Sequence, residues 1–151
     1  MKPMVLFGML AMFAFPFTVS ASLGGDAASV QNDVAKMQAT LRTSSSDSYT
    51  MHEIQAPTGA AVKEYVSPAG KVFAVTWKGP FPPDLRQLLG AYYDQYVQAV
   101  QAQRAQRHGH GPLLIQEPGF VVQASGHMRF FAGKAYVPQM VPAGVRAEDL
   151  Q

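Results

Sequence analysis

The sequence predicts an α+β fold: an antiparallel sheet with one long helix packed on it and a short N-terminal helix, in the order α-βββ-α-βββ. Three observations carry this expectation. Runs rich in β-branched and aromatic residues are joined by short Pro/Gly connections, as in strands that meet through tight turns. Two other segments repeat apolar residues at helical spacing. The 151 residues are enough for one hydrophobic core and too few for two comfortable ones.

The chain opens "MKPMVLFGMLAMFAFPFTVSAS", with Lys2 followed by an apolar run from Met4 to Phe17. That run is shorter than the ~20 residues a membrane-spanning helix needs. A positive start, a short apolar core and small residues behind it are the pattern of a secretory signal. Cleavage is expected after Ala21, giving a signal peptide over 1–21 and a single domain over 22–151, with 138–151 as an extended C-terminal tail. The protein is expected to be exported and, once cleaved, not to insert in a membrane. With Lys2 removed, the 12 basic side chains become eleven against ten acidic ones. So nearly neutral a chain implies no nucleic-acid partner. Cysteine is absent, which excludes disulfides, a thiol nucleophile and Cys-ligated metal.

From Asp26 to Leu41, Val30, Val34, Met37 and Leu41 fall on one helical stripe, with Asp33 among the residues assigned to other faces. The polar "TSSSDS" (43–48) reads as the loop that ends this helix. Three strands follow, Tyr49–Gln55, Ala61–Val66 and Lys71–Trp77, separated by "APTG" and "SPAG". In the third, Val72 and Ala74 alternate with Phe73, Val75 and Trp77, so both faces are apolar and the strand belongs near the sheet centre. "GPFPPD" then stops the ladder, since proline donates no backbone hydrogen bond. Pro83 suits a first helical turn and Asp84 the positive end of its dipole. The stripe Leu85, Leu88, Leu89, Tyr92, Tyr96, Ala99 and Val100 predicts one long helix reaching about Arg107. Strands are expected again at Leu113–Gln116, Phe120–Ala124 and Met128–Val137, with turns at Pro118-Gly119 and Ser125-Gly126.

No specific catalytic motif is present: there is no nucleophile elbow, zincin helix, phosphate loop or EF-hand loop. The remaining candidates are small constellations. His108 and His110 flank a glycine and offer two imidazoles to zinc or copper, a weak site unless His52 or His127 adds a third. No cofactor beyond such a metal is expected. His52 and Glu53 are adjacent in a strand and point to opposite faces, so they cannot act as a pair. Asp84, Glu64 and Glu53 are the acids available for paired-carboxylate chemistry. His127 and Arg129, beside a glycine turn, share a face if a strand begins there and would then suit an anion or carboxylate. Phe81, between two prolines, and Tyr93, off the main helical stripe, are the aromatic residues expected to face a ligand.

The phrases "SLGGDAASVQNDVAKM", "YTMHEIQAPTGAAVKEYVSPAGKVFAVTWKGPFPPDLRQLLGAYY" and "SGHMRFFAGKAYVPQMVPAGV" together resemble an exported bacterial family known as domain of unknown function 2844. The resemblance spans nearly the whole mature chain and leaves out "RHGHG". It implies a secreted single-domain bacterial protein of the periplasm, and brings no activity, cofactor or catalytic residue with it. The expected function is a non-catalytic binding or accessory protein, its partner an envelope protein or small ligand. A metal-binding protein using the histidines is the alternative, and a small hydrolase whose site converges only in the fold is the second.

Overall fold

The computed structural model of the protein describes residues 22–106 and 111–151; the predicted leader and the His108/His110 pair lie outside them. Seven strands form one sheet: β1 (Thr40–Ser45), β2 (Thr50–Gln55), β3 (Ala61–Val66), β4 (Val72–Gly79), β5 (Leu113–Glu117), β6 (Phe120–His127) and β7 (Phe130–Tyr136). Their spatial order is β1-β2-β3-β4-β7-β6-β5, with every neighbour antiparallel. The helices are α1 (Val30–Met37), α2 (Leu85–Leu89) and α3 (Tyr93–Gln106), the last two joined by a 3-10 turn at Gly90–Tyr92. The chain is an α+β protein, with the helices on one face of the sheet and the C-terminal tail on the other.

The first half holds four strands where three were expected. Residues 40–45 are not a loop: they pair with β2 as an edge strand, Leu41 opposite Ile54 and Thr43 opposite His52. The helix before them ends at Met37 because Gln38 turns left-handed (φ 49°) and Ala39 N–H closes back on the Val34 carbonyl. A polar edge strand is hard to see in sequence, since only Leu41 faces the core, but its Ser, Thr and Arg side chains guard an edge against pairing with other chains.

β4 is the middle strand, and every residue from Val72 to Trp77 is buried. A β-bulge opposite Tyr65 and Val66 changes which side chains share a face. Phe73 and Ala74 both join the cluster under the tail, whereas Val72, Val75 and Trp77 join the one under the helices. The expected simple alternation therefore fails at both Val72 and Phe73, each of which lies on the face opposite to the one expected.

The predicted long helix is a jointed arm. Gly90 (φ 50°, ψ −119°) breaks it, and the Ser22 side chain occupies the space a Cβ there would need. The chain enters the fold at this joint: Leu23 N–H bonds the Leu88 carbonyl at 2.9 Å, and Leu23 is 1% exposed. Helix α2 begins at Leu85, two residues after Pro83. Asp84 is its N-cap, accepting from the Arg86 and Gln87 N–H groups at 3.0 and 3.2 Å, so Pro83 lies outside the first turn. At the far edge, Gln103 of α3 donates to the Leu114 carbonyl of β5 at 2.9 Å.

Opposite the helices, the tail packs Met140, Val141, Val145 and Leu150 against Tyr65 and Phe73. It is extended except for 3-10 turns at Pro138–Met140 and Ala147–Asp149. Three side chains hold it through its main chain. Lys63 and the Tyr65 hydroxyl each donate to the Gln151 main-chain oxygen at 2.8 Å, and Lys134 donates to the Ala147 and Glu148 carbonyls at 3.0 and 3.1 Å.

Candidate functional site

The residues singled out by sequence fall into two places. β6 runs on through Ser125 and Gly126, which pair with Ala132 and Phe131, and reverses at Met128-Arg129. Arg129 takes the left-handed turn position (φ 60°). It therefore lies outside the strand, and the expected shared strand face with His127 does not exist. Both are exposed at the hairpin tip, beside Met128 (97% exposed) and Phe130. Phe81 is exposed at the same end of the sheet, because Gly79, two residues before it, pairs with Phe131. Tyr93 is elsewhere. It packs in the helical layer with the Arg86 guanidinium 4.5 Å over its ring. Its neighbour Tyr92 stacks on Phe120, at the opposite end of β6 from His127.

A polar cluster lies under the helices. Thr43, His52 and Glu64 are in register across β1, β2 and β3. The Thr43 hydroxyl is 3.0 Å from His52 Nδ1, the arrangement of a nucleophile beside a base. Among the described residues no acid orients the imidazole: His52 bonds only the Thr43 hydroxyl, and burial lowers its pKa. Glu64 turns instead to Asp33 on α1. Both are wholly buried, and Gln87 of α2 donates to Asp33 Oδ1 at 2.6 Å. Glu64 is pushed up to about 8 by burial and by the neighbouring Asp33 carboxylate. Burial raises Asp33 as well, against the opposing effects of the Gln87 and Glu64 hydrogen bonds and the Lys36 charge. Neither Glu64 oxygen nor Asp33 Oδ2 meets any other donor among the described residues. A proton kept on Glu64 and given to Asp33 supplies that donor. Asp84 and Glu53, the other acids considered for paired-carboxylate chemistry, do not join Glu64: Asp84 caps α2, and Glu53, next in sequence to His52, points to the opposite face of the sheet, in register with Lys63. Buried beneath the helices, this carboxyl pair ties α1, β3 and α2 together.

The open site is on the tail side. Where the tail stops covering the sheet, a groove of about 560 Å³ lies over β3, β4, β7, β6 and β5. Two cross-strand rows make its floor: Lys63, Thr76, Lys134, Gln123 and Leu114, and beside it Ala61, Lys78, Ala132 and Ser125. The tail supplies one wall through Leu150, and Phe130 stands at the hairpin end. Alternation along β6 puts His127 on this same face, two residues beyond Ser125. The groove can hold an apolar body between small side chains, with ammonium groups close by; among the described residues, no hydrogen bond joins a lining hydroxyl to a base. Among the described residues no three His, Asp or Glu side chains converge on a point that could hold a metal ion.

Sequence reading missed the groove because its floor is ordinary strand residues; only the strand order brings Lys63, Lys78 and Lys134 onto one face. It also missed Asp33, although a signal was present. Asp33 sits at the i+3 position from Val30, and Glu64 stands between Val62 and Val66, so each interrupts an apolar stripe.

Fold and site together define a small α+β protein with a ligand-sized groove on one sheet face. The chain belongs to the family described as protein of unknown function (DUF2844), whose match covers residues 19–150. No curated protein and no solved structure matches it.

Proposed function

We propose that this is an exported, non-catalytic binding protein and that its ligand occupies the groove on the tail side of the sheet. The observation that carries the reading is the groove itself: about 560 Å³, within the ~300–1,000 Å³ range of small-molecule sites, with the apolar side chains of Leu114, Phe130, Ala61 and Ala132 set among lysine, threonine, glutamine and serine. Among the described residues no oriented nucleophile–base pair lies beside it, which supports binding over turnover. The leader-like start of the chain supports export to the periplasm or cell exterior.

Thermal denaturation in the presence of amphiphilic small molecules tests this. At ligand concentrations well above Kd, the midpoint of the mature chain should rise by about 3–6 °C. The Ala132→Trp variant, whose indole fills the groove floor, should show no rise. Equal responses in the two proteins, or none in either, would contradict the reading.

A further inference from the structure

We infer that the groove selects a small organic monoanion, a carboxylate on an apolar chain, and that Lys78 binds the carboxylate. The inference rests on the groove being the ligand site. Three lysines and one acid, Glu148, line it. Two of the three ammonium groups are already committed, Lys63 to the Gln151 main-chain oxygen and Lys134 to the Ala147 and Glu148 carbonyls. Lys78 is different. It stands on β4, the middle strand, is exposed, and makes no hydrogen bond or ion pair among the described residues. Its cross-strand neighbours are Ala61 and Ala132, too short to shield it. Exposed and without a partner among the described residues, its ammonium is free to meet an anion entering the groove.

The chemistry of the other half follows from the surroundings. One flexible ammonium, with no arginine fork beside it, matches a single negative charge better than a phosphate, which is best held by several donors. Leu114, 42% exposed, and Phe130, 53% exposed, line the same groove and gain from being covered. An ion whose head meets Lys78 and whose apolar body lies toward Leu114 and Phe130 satisfies both. A free, water-soluble carboxylate fits a groove open to solvent and bounded on one side by the tail.

Calorimetric titration at low salt with octanoate, octan-1-ol and inorganic phosphate decides the matter, using the wild-type protein and Lys78→Met, Lys78→Arg and Ala132→Trp. The wild type should prefer octanoate to octan-1-ol by about tenfold, as expected of a charge-assisted hydrogen bond. Lys78→Met should erase that preference while octan-1-ol binds as before, and Lys78→Arg should restore most of it. Ala132→Trp should abolish both. If octanoate and octan-1-ol bind the wild type equally, or Lys78→Met keeps the preference, the role of Lys78 is overturned and the groove remains the site. Phosphate displacing octanoate would overturn the amphiphile. Should neither titrant bind, or should Ala132→Trp leave binding intact, the groove itself fails and this inference with it.

Discussion

Gly133 of β7 lies beneath the ring of Trp77, the single tryptophan of the chain. A Cβ there would come within 2.6 Å of both the Trp77 ring and the Gln123 carbonyl. Because the obstacle includes backbone, it cannot move aside cheaply. Gly133→Ala should destabilise the protein by about 2–3 kcal/mol in denaturant unfolding, and a change under 0.5 kcal/mol would show that the ring relaxes freely. The Asp84 cap makes a smaller and separate prediction: Asp84→Ala should cost about 1 kcal/mol, with the same m-value. Trp77 and the "GPFPPD" corner were legible as architecture from residue types alone. The outward direction of Phe81 was not, since prolines fix the backbone around it and leave its ring either way.

Among the elements, the buried carboxyl pair does the most to join separate parts of the chain. It has a pH signature whose sign is fixed. Glu64 holds its proton in the folded protein to about 8, whereas an unperturbed glutamate releases it near 4.5. Between those values the folded state binds more protons at this group than the unfolded one, so the stability it contributes is fully present below 4.5 and is lost as pH rises through 8. Asp33, also raised, acts in the same sense. Of the groups facing the pair, Gln87 does not titrate and Lys36 acts only on Asp33, while His52, whose pKa burial lowers, opposes the trend at the acid end and leaves the fall through 8 to the carboxyl pair. The wild-type midpoint should therefore be about 5 °C or more lower at pH 9 than at pH 5, and Glu64→Gln should flatten most of that difference. A midpoint that rises from pH 5 to pH 9 would refute the shared proton. The three strands and the helix that follows them could be read from sequence because their apolar residues repeat with a clear period. The edge strand at 40–45 has no such period, and the joint at Gly90 depends on Ser22, far away along the chain.

For the whole molecule, the decisive feature is the path of the chain from the middle strand β4 across the helical face to the far edge β5, then back through β6 and β7. That path sets β7 beside β4 and so builds the groove floor from segments distant in sequence, which is why no motif announces it. The same architecture bears on processing. Ser22 and Leu23 are buried, with Leu23 bonded to Leu88, so cleavage after Ala21 would leave these contacts intact. On the proposed export, intact-mass measurement of the chain recovered outside the cytoplasm should give a protein beginning at Ser22, and a start beyond Leu23 would contradict that. The central claim, that the groove is where this protein binds its ligand, is tested most directly by mapping amide chemical shifts in a ¹H–¹⁵N NMR titration with octanoate. The account predicts saturable shifts concentrated at Thr76, Lys78, Leu114, Ala132 and Phe130, with the helical face unmoved. Shifts centred on the helices, or scattered over the surface without saturation, would contradict it.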